Sequence, residues 1–378
     1  MDNERGFKST GHGKRIVMTA RLGKTGLRVF PLGLGGIQLA GIDRLEAERV
    51  IKACVDGGIN LAETGEGYGD SEQKLSYALR GDREKFIIAS KSPKRTAGEM
   101  TQAIDQSLAR LGTDYIDIYQ IHSLKTDEQF DRIFAPGGAM EALAVARDAG
   151  KIRFIGVSGH RPSILCKAIR TSEFHTVQAP INLVDREPEA ELLPLAREMD
   201  VGILAMKPIC GGTLDNPALG IRFCLNSTTD VVLCGMKNEA EVAANLETVR
   251  SFSPLTPEEE DELMTEASQL GTQFCRRCEY CQPCPQGIRI PKILWLANYH
   301  RRYGERDPWT EDEYRYLEAT IADCEDCGDC EAQCPYDLSI RNMLREADAE
   351  LRPPVKVIAR RKIKGVLKRV LPVRKASD

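Results

Sequence analysis

The sequence predicts an α/β protein, a closed (β/α)8 barrel followed by a small, mostly helical domain. Three observations carry this reading. Short β-branched runs alternate eight times with longer amphipathic stretches between about residues 29 and 250, polar side chains with acid–base chemistry end those runs, and two tight cysteine clusters follow the last. A chain of 378 residues is long for one small domain, given a prior of roughly 150 residues per domain, and suits a barrel with an appendage.

The strand candidates, in order, are VFPLGL from Val29, INLAE from Ile59, FIIAS from Phe86, YIDIYQIH from Tyr115, IRFIGVS from Ile152, HTVQAPI from His175, VGILAMK from Val201 and VVLCG from Val232. Helix-like segments separate them, among them Leu45–Asp56, Glu99–Leu111 and, after the last strand, Glu239–Thr248. Eight parallel units fit a TIM barrel better than an open doubly wound sheet, and no G-x-G-x-x-G opens a helix here. The barrel reading makes a demand: reactive residues should lie at the carboxyl ends of strands, where barrel active sites are built.

Composition narrows the function classes. With 42% hydrophobic and 29% charged residues, and no apolar run near the roughly 18 residues of a membrane span, an integral membrane protein is excluded. The first twenty residues hold no apolar h-region, so the chain is expected in the cytoplasm, with residues 1–17 a flexible leader. His12, between two glycines, reads as part of that polar stretch and not as a ligand. A formal charge of −4 hides an asymmetry: residues 351–378 carry ten Lys/Arg against one Asp, which leaves an acidic body of −13.

Beyond Pro254 the pattern changes. An acidic helix, Pro257–Leu270, leads into the first cysteine cluster; amphipathic stretches at Pro291–Tyr303 and Glu311–Asp323 precede the second; Pro353-Pro354 breaks the chain before the basic tail. The expected organisation is a leader at 1–17, a barrel at 18–256, a helical domain at 257–350 and a basic amphipathic tail at 351–378.

The barrel's demand is met at Glu63, Thr64 and Tyr68 after the second strand, Lys91 on the third, His122 on the fourth, Ser158 on the fifth, and Gln178 and Asn182 on the sixth. Carbonyl reduction needs a hydride at carbon and a proton at oxygen. A phenol of pKa about 10 performs that protonation badly until a neighbouring ammonium stabilises its phenolate. A carboxylate can hold the lysine, and a neutral imidazole can orient the carbonyl oxygen. Tyr68, Lys91, Glu63 and His122 supply all four groups; the plainer reading is an ion pair and two capping groups closing the rim.

On these residues the sequence resembles the aldo-keto reductase family. The matching segments are RLGKTGLRVFPLGLGG, GGINLAETGEGYGDSE, the lysine ending IIASKS, the histidine ending YIDIYQIH, GVSGH at Ser158, VQAPINLVDRE at Gln178 and GMKNEAEVAANL at Gly235. The resemblance implies Tyr68 as proton donor, Lys91 as its tuner and His122 as carbonyl orienter. It further implies that Ser158 and Gln178 meet the nicotinamide carboxamide, with Gly235, Lys237 and Asn245 near the adenine end. Three departures stand out: Glu63 replaces the family's aspartate, Met206 replaces a stacking aromatic, and Glu241 and Ala244 replace a Gln and a Glu near the adenine. Lys237 would attract a 2′-phosphate and Glu241 repel it, so the expected coenzyme is NADP(H), with NAD as the alternative.

The clusters Cys275-x2-Cys278-x2-Cys281-x2-Cys284-Pro and Cys324-x2-Cys327-x2-Cys330-x3-Cys334-Pro have iron–sulfur ligand spacing. Three closely spaced thiolates cap one cubane, and the fourth, before proline, reaches the other. Cys275, Cys278, Cys281 and Cys334 are therefore expected on one 4Fe-4S cluster, and Cys324, Cys327, Cys330 and Cys284 on the second. Tetrahedral zinc is the alternative for sets of four cysteines, and the doubled Cys-Pro endings argue against it. The separation of the two sets, filled by helix-like sequence, resembles helical dicluster ferredoxin modules. Cys54, Cys166, Cys210, Cys224 and Cys234 lie among apolar neighbours and read as core residues.

The combined expectation is an iron–sulfur oxidoreductase of aldo-keto reductase type that reduces a carbonyl or related small molecule with NAD(P)H and exchanges electrons through two 4Fe-4S clusters. NADPH releases two electrons together and a cubane passes one, so coupling calls for a converter such as flavin; no flavin motif is visible, and flavin stays open. One alternative makes the clusters a structural lid. Another, of a different class, is an electron-transfer or scaffold protein whose barrel is not an enzyme. The segment from Lys356 places Ala359, Ile363, Val366, Leu367 and Val370 on one helical face among basic residues, which suits an acidic redox partner such as ferredoxin, an anionic membrane surface, or plain solvation. Without interleaved aromatics, nucleic acid is not expected.

Overall fold

In the computed structural model the described residues are 19–212, 214, 216–271, 274–277, 281–303, 309–334 and 336–352. The expected leader, and the basic tail beyond Arg352, lie outside them. The chain divides into two compact units, one ending at Gly271 and one beginning at Thr272.

The first unit opens with a short antiparallel hairpin, β1 (Ala20–Arg21) and β2 (Arg28–Val29). Eight parallel strands follow: β3 (Leu32–Gly35), β4 (Leu61–Glu63), β5 (Ile87–Ser92), β6 (Ile116–Ile121), β7 (Ile152–Ser158), β8 (Thr176–Pro180), β9 (Gly202–Met206) and β10 (Val231–Cys234). They close in the order β10-β3-β4-β5-β6-β7-β8-β9. All eight expected strands form, and the predicted barrel is the observed one.

Local chemistry sets where the intervening helices begin. Asp43 and Glu46 make a reciprocal capping box for helix Arg44–Gly57, while Thr96, Thr126 and Asn238 accept the first free N–H groups of Ala97–Leu111, Asp127–Phe134 and Glu239–Arg250. These helices cover the barrel with an outer apolar shell that includes Ile51, Leu75, Ile104, Leu143, Leu165, Ile221 and Leu246.

Inside the barrel, side chains of alternate residues point inward in layers. The lower layer is apolar: Leu61, Ala89, Ile118, Leu204, Val231 and Leu233 pack with Leu22 and Val29 of the hairpin. Two residues further along the strands the layer turns polar, with Glu63, Lys91, Gln120, Ser158 and Gln178 all buried. The hairpin is tied beside the start of β9 by Arg21, which donates twice to Asp200 at 2.8 and 2.6 Å. The apolar floor thus fixes the end at which the polar layer forms.

The acidic helix, observed at Pro257–Gly271, packs with the barrel unit and does not open the second domain. Arg222 of helix Pro217–Asn226 forks onto Glu259 at 2.5 and 2.9 Å, which anchors it there.

The second unit is built on two helices, Ile290–Tyr303 and Ile340–Leu351, whose residues Ile293, Leu294, Ala297, Leu344, Ala347 and Leu351 share one apolar core. The stretch expected as one helix over Glu311–Asp323 is instead a helix at Trp309–Arg315 and a 3-10 turn at Ile321–Asp323. Thr320 stands extended between them. Its hydroxyl accepts from Ala322 N and its own N–H donates to Asp323 at 2.9 Å, which restarts the chain. Among the described residues, no helix is long and apolar enough to cross a membrane.

Candidate functional site

The polar layer of the barrel is a connected network at the carboxyl ends of β4, β5, β6 and β8. Lys91 on β5 is 1% exposed and donates to Glu63 Oε1 on β4 and, at 2.7 Å, to the carbonyl of Thr64. Tyr68, on the turn after β4, directs its hydroxyl to the same Glu63 oxygen at 3.4 Å, and the Lys91 ammonium lies 4.2 Å from its ring centroid. His122, one residue past β6, meets the Tyr68 ring edge-on, with centroids 6.1 Å apart. The four residues expected to converge do so.

Burial opposes the charge on Lys91, but Glu63 and Tyr68 outweigh it and hold the ammonium above the usual lysine range. A permanent cation therefore stands beside the phenol. Arg95 holds the backbone that carries the imidazole: its guanidinium donates to the carbonyls of His122 and Ser123 at 2.8 and 3.0 Å. Burial pulls Arg95 down to about 10, which leaves it charged at neutral pH.

The sequence profile of the aldo/keto reductase family matches residues 31–219, and that of a 4Fe-4S dicluster domain matches residues 274–339. The chain belongs to the aldo/keto reductase family. The aldo-keto reductase YhdN of Bacillus subtilis is 31% identical over 209 residues, covering 50% of this chain and 61% of that protein. The uncharacterized oxidoreductase YqkF of the same organism is 29% identical over 213 residues, covering 53% and 67%. The chain thus spans about two thirds of the length of these curated relatives. Among solved structures, holo aldo-keto reductase AKR11C1 of Bacillus halodurans superposes with a TM-score of 0.58 at 26% identity, over 66% of this chain and 95% of that one. An aldo/keto reductase of Klebsiella pneumoniae in complex with NADP and acetate gives 0.57 at 23% identity, with the same coverage, and shows the fold alone.

Within this aldo/keto reductase barrel the expected coenzyme residues divide. Ser158 is buried and its hydroxyl accepts from Ser123 N at 3.1 Å. Gln178 points its amide nitrogen at Glu63 Oε1, 3.0 Å away, and receives Gln120 Nε2 on its oxygen at 2.8 Å. It also reaches the sulfur of Met206 at 3.5 Å, at the position of the missing aromatic. Gly235 and Lys237 follow β10, and Asn245 stands on the helix Glu239–Arg250 after it. There Glu241 turns back to accept the Lys237 backbone N–H at 3.0 Å.

Sequence reading passed over Gln120, although an amide inside the apolar run IDIYQI was a visible signal. It also passed over His160 and Lys207, whose Nε2 and Nζ lie 2.9 Å apart; nothing in their spacing, 47 residues, indicates a contact that only strand order creates. Asn182 is fully buried and accepts the N–H groups of Val184 and Asp185 while donating to the carbonyl of Lys207 at 3.2 Å, which shapes the loops after β8 and β9.

In the dicluster unit Cys275, Cys281, Cys284, Cys324, Cys330 and Cys334 pack against one apolar core, and Cys327 is exposed; Cys278 lies outside the described residues. None of the described cysteines is in a disulfide. Among the described residues no three His, Cys, Asp or Glu side chains converge on one point as a single metal ion requires. A cubane makes no such demand, because each thiolate takes a separate iron. The halves repeat: Gly287 N bonds Cys284 O and Asp337 N bonds Cys334 O, with Gly287 and Asp337 both at positive φ. Each turn leads into a core helix six residues after its cysteine, at Ile290 and Ile340. Asp326 N donates to Cys324 Sγ at 3.4 Å. The described part of this donor set, arranged around one core, fits iron–sulfur ligation.

The five remaining cysteines are all buried, and burial pushes the thiols of Cys54 and Cys234 up to about 12. They are packing residues.

Proposed function

We propose that the barrel reduces a small carbonyl compound with NADPH. The observation that carries the reading is the convergence of Tyr68, Lys91, Glu63 and His122 on one rim of the barrel. Tyr68 is the proton donor to the carbonyl oxygen, Lys91 stabilises the phenolate left behind, Glu63 holds Lys91, and His122 orients the carbonyl. A bound nicotinamide supplies the hydride that reaches the carbonyl carbon. Ser158 and Gln178 would hold its carboxamide end, and Gly235, Lys237 and Asn245 the adenine end. Lys237 favours a 2′-phosphate, while the carboxylate of Glu241 is turned onto a backbone N–H.

We further propose two 4Fe-4S clusters with the crossed ligand sets Cys275, Cys278, Cys281, Cys334 and Cys324, Cys327, Cys330, Cys284, exchanging single electrons with an acidic ferredoxin-like protein in the cytoplasm. The duplicated turn after Cys284 and Cys334 supports two equivalent sites, and the ligand spacing supports the crossed pairing.

The test is anaerobic purification of the full chain, iron and sulfide quantitation, NADPH and NADH titration by nicotinamide fluorescence, and NADPH oxidation with an aromatic aldehyde. Turnover that disappears in Tyr68→Phe supports the reading. Iron-loaded protein that binds neither nicotinamide favours the electron-transfer alternative.

A further inference from the structure

Gln120 is fully buried inside the barrel, and its two ends are unequal. Its amide nitrogen donates to Gln178 Oε1 at 2.8 Å, while its own oxygen is buried without a hydrogen-bond partner. An amide half-satisfied in a barrel core is costly, and an apolar side chain would pack there more cheaply. The cost has a counterpart. With its oxygen occupied by Gln120, Gln178 presents its nitrogen to Glu63, and the two amides form a chain across the barrel from β6 through β8 to β4.

The register makes the chain possible. Gln120 stands opposite Lys91 on β5 and Gly156 on β7. A Cβ at Gly156 would lie 2.9 Å from Gln120 Cγ and 2.3 Å from Thr176 Oγ1, so only glycine leaves room for the side chain to cross. The far end of the chain is one oxygen, Glu63 Oε1, which already serves Lys91 and Tyr68. Glu63 meets all three partners, Lys91, Tyr68 and Gln178, through this one oxygen.

We propose that Gln120 is a positioning residue that, by fixing the amide of Gln178, sets how strongly Glu63 binds Lys91 and Tyr68. The inference rests on the proposed role of Tyr68 and deepens it. The Gln178 N–H takes up part of the Glu63 negative charge. Without it, Glu63 accepts more strongly from the Tyr68 hydroxyl, which favours the neutral phenol, and neutralises Lys91 more completely, which weakens its hold on the phenolate. Both effects raise the Tyr68 pKa. The titratable groups near Tyr68 include Glu63 on β4, Lys91 on β5 and His122 after β6, with Glu66 two residues before it on its own turn, accepting from Ser92 at 2.5 Å.

The experiment is ultraviolet titration of tyrosine ionisation in the full chain without coenzyme, with the Tyr68 step assigned by its loss in Tyr68→Phe. Gln120→Leu is expected to raise that midpoint by about one pH unit. Gln120→Met, close in length but uncharged and unable to donate, should leave the Gln178 amide unfixed and shift it the same way. Gln178→Leu should reproduce the shift, and Gln120→Leu added to Gln178→Leu should add nothing, since both act through one contact. Additive shifts, or an unmoved midpoint in folded Gln120→Leu, would overturn the proposal. If Gln120→Leu does not fold, Gln120→Met alone decides by the same criterion. Because the readout is ionisation and not turnover, wild-type protein inactive toward aldehydes would defeat the carbonyl reductase reading while leaving this result interpretable.

Discussion

The ammonium of Lys91 lies over the ring of Tyr68, 4.2 Å from its centroid, and the two residues come from different strand ends. At that distance, in a site where Lys91 is 1% exposed, the cation acts on the phenol with little solvent between them. The proposed proton donation rests on that pairing.

Removing the phenolic oxygen should therefore abolish proton donation and spare the fold. Tyr68→Phe is expected to lower kcat for aldehyde reduction by about 10²- to 10⁴-fold, with nicotinamide affinity unchanged. Steady-state kinetics beside a fluorescence titration check this; a variant with full kcat would remove Tyr68 from the mechanism.

Glu63→Gln leaves the Lys91 ammonium buried without its counter-charge. Breaking a buried ion pair from one side costs about 3–5 kcal/mol, so the urea midpoint of the barrel should fall steeply. A double substitution, Glu63→Gln with Lys91→Met, should recover part of the loss. Equal loss in both would show that the uncompensated Lys91 charge is not the cause of the loss.

Lys91 also fixes an alkaline limit. Its folded pKa lies above its unfolded value, so its contribution to stability is fully present below the unfolded pKa of about 10.4 and is lost as pH rises through the folded value. Urea melts should show no contribution from this group to any pH dependence through neutrality and a decline at strongly alkaline pH, a decline that is shallower in Lys91→Met. An equally steep decline in the variant would assign it to other groups.

Gly156→Ala would drive a methyl against Thr176 Oγ1 and Gln120 Cγ, at 2.3 and 2.9 Å. The expected loss is about 1–3 kcal/mol, as for other overpacked cores. Chemical denaturation measures it, and an unaltered midpoint would mean that the side chains in this layer move aside freely.

Cys330→Ser removes one ligand of a proposed cluster. Iron and sulfide content should drop by about half, with one set of EPR signals lost after dithionite reduction, while the far-ultraviolet signature of the barrel persists. Full iron retention would exclude Cys330 as a ligand.

The amino-acid sequence alone determined the alternation of strands and helices, because inward-facing β-branched runs and capping residues such as Asp43, Thr96 and Asn238 act over a few neighbours. It also determined the two cysteine sets, whose ligand spacing is local, and the four rim residues, because a charged or hydroxyl-bearing residue ending an apolar strand has a place only at the mouth of a barrel. The tertiary structure alone decided that Glu63 gathers Lys91, Tyr68 and Gln178 on one oxygen, that Gln120 stands behind Gln178, and that the helix Pro257–Gly271 belongs with the barrel through Arg222. Those contacts join residues far apart in the chain, so they depend on strand register and on the direction of each side chain, and neither is written in the spacing of residues along a single segment.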